Sequence, residues 1–147
     1  MMTHTIRLRG PWLLRPLGAD EAPASSEADY PHDRVQVPDD WTATLGAMYR
    51  GRAEYRRRFH RPTGLEIGEA VFLVFDGVRS RGMVQLNGAP LGCVDEAGGE
   101  FDISAQLDEP NILLVRVEHT AEPTADQAAR PGGIVGEVRL EIRPRTL

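Results

Sequence analysis

The chain has 147 residues, a length that suits one domain burying about two thirds of the surface its unfolded chain exposes. Its single cysteine excludes an intramolecular disulfide, no run of about 18 apolar residues predicts a membrane span, and no signal peptide is evident, so we expect a cytoplasmic protein. The net charge of −5 disfavours nucleic acid as a partner, although all 17 basic residues are arginine and six fall between Arg50 and Arg61.

The first elements along the chain are two short strands separated by a bend at Gly10-Pro11, with Trp12 and Leu14 directed into the core. The segment 18–33 is rich in Ala, Ser, Asp, Glu and Pro and has no periodicity, which predicts a long surface loop. Residues 34–37 then predict a brief strand that ends at Pro38.

Two aromatic residues follow on an irregular connection. Asp39 or Asp40 is expected to cap one helical turn that begins near Trp41 and ends at Gly46, and Tyr49 comes soon after it. Such rings either seal the core or stack on the apolar face of a sugar, and sealing is the commoner role of a tryptophan.

Residues 53–60 alternate and predict a strand whose apolar face contains Arg57, between Tyr55 and Phe59. An unpaired buried arginine costs several kcal/mol. We therefore expect Arg57 to pair with a carboxylate such as Asp76 or Glu118, unless that face is open to a polar ligand.

The central stretch predicts a buried strand and a hairpin at the centre of the fold. Val71–Phe75 is apolar on both faces, so we place it as a buried central strand. Asn87-Gly88 follows an apolar run and predicts a hairpin turn, because Asn-Gly tolerates positive φ at both central positions of a type I′ turn.

The C-terminal part continues the same pattern. A turn at 107–111 precedes an apolar strand over 112–117, and a second long loop is expected at 119–133. In the last strand, over 134–143, Val138, Leu140 and Ile142 alternate with charged residues. Short strands separated by turns predict one all-β domain, an antiparallel sandwich over residues 1–147.

An ordered set of motifs supports this fold. The pieces are Trp12, Val37-Pro38-x-x-Trp41, Tyr49-x-Gly51-x-x-x-Tyr55-Arg56-Arg57-x-Phe59, Phe75-Asp76-Gly77-Val78, Val84-x-Leu86-Asn87-Gly88-x-x-Leu91-Gly92, Phe101-Asp102-Ile103-Ser104, Asn111-x-Leu113-x-Val115-x-Val117 and Gly132-Gly133-Ile134. From about residue 6 to residue 142 the chain resembles the N-terminal sugar-binding domain of glycoside hydrolase family 2. The resemblance implies a jelly-roll sandwich of the galactose-binding-like class.

The sequence offers little catalytic chemistry. The four histidines are far apart, which indicates no metal site, and Cys93 is expected to be a buried or half-buried inert thiol. In the family that the chain resembles, both catalytic carboxyl groups belong to a TIM barrel, which needs about 250 residues. We therefore expect no enzyme activity and no cofactor.

The function predicted from the resemblance is a non-catalytic carbohydrate-binding module, or an accessory subunit of a glycosidase catalytic chain. The candidate sugar-binding residues are Trp41, Tyr49, Arg50 and His119, which fall on two rim connections. The alternative is a structural or protein-interaction module without sugar binding.

Overall fold

The computed structural model describes residues 3–18, 27–30, 34–46, 48–119 and 131–144. These residues form two antiparallel sheets, one turn of α-helix, α1 (Thr42–Leu45), and one turn of 3-10 helix (Glu27–Asp29). The strands of the described residues are β1 (His4–Arg7), β2 (Leu13–Leu17), β3 (Gly51–Phe59), β4 (Glu69–Phe75), β5 (Arg81–Leu86), β6 (Ala89–Asp95), β7 (Gly99–Asp102), β8 (Asn111–His119) and β9 (Val138–Pro144).

The two sheets pack as the layers of a sandwich. One sheet has the order β1-β9-β4-β7, and the other has the order β2-β3-β8-β5-β6. Alternate side chains of each strand meet between the layers, and the core there includes Leu14, Tyr55, Leu73, Val115 and Leu140. Helix accounts for only 5% of the structure. The predicted antiparallel jelly-roll sandwich is confirmed.

The central strand lies where the sequence placed it. Val71–Phe75 belongs to β4, which has β9 on one side and β7 on the other. Within it only Phe72 retains partial exposure, and the Arg143 guanidinium lies 4.3 Å from the centroid of that ring. Apolar side chains on both faces are thus explained by a central position with cover on each side.

The Asn-Gly pair forms the predicted hairpin turn, which joins β5 to β6. Asn87 and Gly88 have φ angles of 51° and 85°, as a type I′ turn requires. The Asn87 amide also donates to Oδ1 of Asn111 at 3.0 Å, and its oxygen accepts the Ile112 N–H at 2.8 Å. Because Asn111 has no exposed area, these bonds satisfy buried polar groups at this end of the sandwich.

Two local predictions are wrong. Residues 34–37 form no strand, because Val35 makes only an isolated bridge to Trp12 and Pro38, which has no N–H, follows two residues after Gln36. Cys93 is exposed and not buried, because it lies on the edge strand β6. Its Sγ lies 3.0 Å from Sδ of Met83.

Other predictions differ in their limits or fall outside the described residues. The alternation of β9 is confirmed, but the strand begins at Val138 and not at Ile134. Most of the loops predicted at 18–33 and 119–133 lie outside the described residues. Within the part of the chain that the structure describes, no helix is long and apolar enough to span a bilayer.

Replacing Gly88 by valine is expected to lower the free energy of unfolding by about 1 kcal/mol or more. The cause is that a β-branched residue is strained at positive φ, whereas the space around Gly88 is open. Urea denaturation measures the loss, and Ala89→Val, one residue later in the extended strand, is the control. An unchanged midpoint for Gly88→Val would contradict the turn type.

Candidate functional site

The predicted sugar-binding residues do converge, at the end of the sandwich where β3 begins. The ring centroids of Trp41 and Tyr49 lie 5.2 Å apart, and those of Trp41 and His119 lie 6.2 Å apart, in edge-to-face arrangements. His119 also shares a 2.6 Å hydrogen bond with the Ser80 hydroxyl. The expectation that Asp39 or Asp40 caps α1 is wrong, because the N-cap residue is Trp41 and no side chain caps the helix; the Asp40 carboxylate, one residue earlier, accepts the N–H of Thr42 at 3.1 Å.

This cluster of Trp41, Tyr49 and His119, which we call the aromatic plug, is closed. Trp41 has no exposed area and His119 is 7% exposed. Tyr49 is half-buried, with its hydroxyl donating to the Arg52 carbonyl at 2.8 Å, and Nη1 of Arg50 donates to the Tyr49 carbonyl at 2.9 Å. Of the two roles that the sequence allowed for Trp41, its burial agrees with the commoner one, in which the ring seals the core, and its ring is not open to a sugar.

A partly buried carboxyl group lies two residues before Trp41 in the chain. Asp39 accepts a 2.9 Å hydrogen bond from the Tyr55 hydroxyl. Burial raises the pKa of Asp39 to about 6, against the opposing effect of the hydrogen bond from Tyr55. Burial likewise raises the pKa of Tyr55, and the Asp39 charge adds to that effect. Asp39 therefore changes its charge near pH 6, above the usual range of a carboxyl group.

The outer face of β3 holds a fully buried carboxylate, which the sequence did not reveal. Glu54 has no exposed area. It accepts the Tyr30 hydroxyl at 2.7 Å and lies 3.4 Å from Nη2 of Arg15 and 3.2 Å from Nε of Arg116. Its charge is compensated within the fold, so this cluster has the features of a structural ion pair and not of an open site.

Arg57 lies on the inward face of β3, partly buried as predicted, but the predicted carboxylate is missing. Asp76 pairs with Arg139 at 2.8 Å, and Glu118 lies 4.0 Å from Arg81. Among the described residues no acidic side chain forms an ion pair with Arg57. The prediction of a structural ion pair at Arg57 is wrong.

The surroundings of Arg57 leave its charge uncompensated. Its Nη1 donates to the Arg58 carbonyl, while its Nε is buried without an acceptor in the described structure. Glu54 is near in sequence but lies on the opposite face of the strand, since side chains alternate. Desolvation lowers the pKa of the Arg57 guanidinium. The other prediction for this face, that it opens toward a polar ligand, fits this geometry.

Strand pairing explains why this face is open. The register pairs Leu13, at the start of β2, with Arg56, so within the described residues Arg57–Phe59 has no paired strand on that edge. On the other edge β8 covers β3 as far as Phe59. β1 is the edge strand of the opposite sheet. Between β1 and the unpaired edge of β3 lies a cavity of about 670 Å³.

The cavity has a mixed lining. Its basic side chains are Arg7, Arg34, Arg56, Arg57, Arg58 and Arg61, together with His60, and we call it the arginine cleft. Apolar side chains, among them Leu13, Phe59 and Leu140, form the remainder of its wall. The described residues that line the cleft include no aspartate or glutamate.

Some of these cations have partners outside the cleft. Arg7 pairs with Glu137 at 3.0 Å, and His60 with Glu109 at 2.7 Å. No group of three potential metal ligands occurs among the described residues. Because its polar lining consists mainly of arginine side chains, which donate hydrogen bonds, the cleft is suited to polar or anionic groups that accept them.

Comparison with known proteins identifies relatives of the whole domain. No protein-family model matches the chain. The β-galactosidase of Arthrobacter sp. strain B7 is 31% identical over 151 aligned residues, which cover 95% of this chain and 14% of that protein. The chain therefore spans a small part of the length of the relative it matches.

Solved structures of other proteins share the fold of this chain. The β-glucuronidase of Bifidobacterium dentium, determined with coumarin-3-O-glucuronide, superposes with a TM-score of 0.75 at 23% identity, over 97% of this chain and 30% of that one. A β-glucuronidase from glycoside hydrolase family 2 gives a TM-score of 0.78 at 20% identity, over 97% of this chain and 18% of its own.

Replacing Arg57 by methionine is expected to change the free energy of unfolding by less than about 1 kcal/mol, or to raise it. The substitution strands no carboxylate and removes a desolvated charge. Arg139→Met is the contrasting variant, because Arg139 lies within 2.8 Å of carboxylate oxygens of both Asp76 and Glu141. A loss of about 3 kcal/mol for Arg57→Met in chemical denaturation would reveal a partner that this account lacks.

The raised pKa of Asp39 predicts that its ionisation lowers the free energy of unfolding, by an amount that depends on pH. Because the folded-state pKa of about 6 exceeds the unfolded value of 3.8, the folded state binds the proton more tightly. This loss of stability is absent below pH 4, where Asp39 is protonated in both states. It grows as the pH rises toward 6 and reaches its full size above pH 6.

Asp39→Asn, which cannot ionise, is therefore expected to melt at a higher temperature than the unmodified protein at pH 8, and this advantage should disappear near pH 4. The exposed Asp108→Asn is the control. A difference that stays constant between pH 4 and pH 8 would refute the assignment.

Proposed function

We propose that this chain, a jelly-roll sandwich related to the family 2 glycoside hydrolases, is a non-catalytic carbohydrate-binding domain or accessory subunit. The site that we propose is the arginine cleft. The observation that carries the proposal is the inward-facing Arg57, which has no ion pair in the described structure and lines the cleft.

The shape and lining of the cleft support this proposal. A volume of about 670 Å³ lies within the range of about 300 to 1,000 Å³ that is usual for small-ligand sites. Saccharides combine apolar C–H faces with many hydroxyl oxygens. Leu13 and Leu140 supply apolar wall, and the guanidinium groups supply fixed planar donors for hydroxyls.

Binding at this cleft is expected to be weak, in the millimolar to high micromolar range, or about 4 to 7 kcal/mol, because an open cleft buries few ligand atoms. Chemical-shift mapping with a panel of neutral and acidic mono- and oligosaccharides tests the proposal. The expected result is a set of perturbed amides at Arg56–Arg61 and in β1.

Two matched variants locate the site. Thr63 is exposed and lines the cleft, whereas Thr42 is exposed at the start of α1, beside the aromatic plug. Thr63→Trp is expected to abolish binding, and Thr42→Trp is expected to leave it unchanged. The reverse outcome would transfer the site to the rim of Tyr49, Arg50 and His119, and an absence of any saccharide binding would overturn the function.

A specific observation favours a second function, docking on a partner protein such as a glycosidase catalytic subunit. Trp41 is buried, which removes the stacking platform, and Ile67 is fully exposed in the turn before β4. Co-purification with a glycosidase catalytic subunit that Ile67→Glu abolishes, without loss of folding, would support docking. Retention of the complex by that variant would count against it.

We also propose that the chain does not hydrolyse glycosides. The described residues contain no barrel, and glycoside hydrolysis generally needs two carboxyl groups that flank the substrate. Glu54 is engaged by Tyr30, Arg15 and Arg116. Incubation of the purified protein with nitrophenyl glycosides is expected to release no nitrophenol, and turnover that persists through purification would disprove the proposal.

A further inference from the structure

The distribution of charge across this molecule is uneven. The whole chain carries a net charge of −5, yet six arginines and His60 line the arginine cleft, where the described lining residues include no acid. A concave site lined by charges of one sign, with apolar walls, concentrates its field and raises the local concentration of counter-ions. An overall acidic protein therefore presents one locally basic cavity.

The cations differ in how far the protein already neutralises them. Arg7 has Glu137 and His60 has Glu109. Arg56 and Arg57 form no ion pair in the described structure, and each has a buried N–H without an acceptor, at Nη1 and Nε respectively. Buried donors of this kind cost free energy unless something accepts their hydrogen bonds.

Arg56 and Arg57 lie on opposite faces of β3, yet both line the cleft, because the cleft lies at the edge that β2 leaves uncovered. A group that sits against this edge is within the field of two guanidinium ions. The groups that suit planar guanidinium donors are carboxylate and sulfate, which accept paired, charge-assisted hydrogen bonds.

Resting on the proposed function, we infer that the arginine cleft selects saccharides bearing an oxyanion, either a uronate carboxylate or a sulfate ester. Arg57 and Arg56 hold the oxyanion, and the apolar wall contacts the sugar ring. The neutral sugar ring alone binds more weakly, because its hydroxyls cannot compensate the guanidinium charges. The affinity for the anionic sugar falls as salt concentration rises.

Isothermal titration calorimetry and chemical-shift mapping test this inference with four probes: methyl β-D-glucoside, methyl β-D-glucuronide, D-glucose 6-sulfate and inorganic sulfate. At least one charged sugar is expected to bind ten-fold or more tightly than the glucoside, and the comparison between the two distinguishes a carboxylate from a sulfate ligand. Arg57→Gln is expected to weaken the binding of the charged sugar at least ten-fold and to reduce the ratio between its affinity and that of the glucoside.

Arg81→Gln is the matched control, because it removes the same charge at a side chain that is 61% exposed and outside the cleft. It is expected to change neither affinity. If Arg57→Gln does not fold, shifts at Arg56–Arg61 in the unmodified protein decide the outcome.

The possible failures are distinguishable. Equal affinity for glucoside and charged sugars would overturn the inference while the proposed carbohydrate function stands. Inorganic sulfate binding as tightly as glucose 6-sulfate would also overturn it, since the sugar then contributes nothing. No binding of any saccharide would overturn both the inference and the proposed function.

Discussion

The arginine cleft depends on one constraint, an arginine on the inward face of a strand that forms no ion pair with a carboxylate among the described residues. In a two-layer sandwich the inward face is normally apolar, and a charge there needs a partner or access to solvent. At Arg57 the fold provides access, because β2 pairs with β3 only as far as Arg56. The early end of that pairing leaves an open edge, and the cavity lies beside it.

The two ends of β3 thus have opposite characters. At its beginning, Trp41, Tyr49 and His119 pack into the aromatic plug. At its end, Arg57 lines an open cleft. Aromatic surface is used where the core must be sealed, and polar donors are exposed where the sheet edge is incomplete. A binding role is therefore better supported at the arginine end than at the aromatic end.

The centre of β3 shows how the same strand tolerates a second charge. Glu54 is fully buried, but Arg15 from β2, Arg116 from β8 and Tyr30 from the preceding segment compensate it. Neighbouring strands cover both edges at that position. Arg57 lies beyond the end of β2 and has no such cover, which is why two charges three positions apart have different environments.

Much of this fold was predictable from the sequence, because local patterns determine it. The Asn87-Gly88 turn, the central strand over Val71–Phe75 and the alternation of β9 each follow from residue type and spacing. Long-range pairing was not predictable in the same way. Only the register shows that Glu54 has cationic neighbours on two strands and that β2 ends before Arg57.

The candidate site was predictable only in part, for the same reason. The sequence correctly marked Arg57 as a charge on an apolar face, with a carboxylate or an open face as the alternatives. The sequence also predicted that Trp41, Tyr49 and His119 lie at one rim, but it did not show that their rings pack against one another. Exposure depends on what covers a side chain, and the covering residues are distant in sequence.

The most direct test of the central claim is an NMR measurement on the Arg57 side chain itself. Its Nε–H is buried and without an acceptor in the described structure, so its resonance reports whether a ligand enters the cleft. The account predicts that this resonance shifts in a saturable manner when methyl β-D-glucuronide or D-glucose 6-sulfate is added. An Nε–H resonance that stays unchanged while either sugar binds elsewhere on the protein would contradict the account.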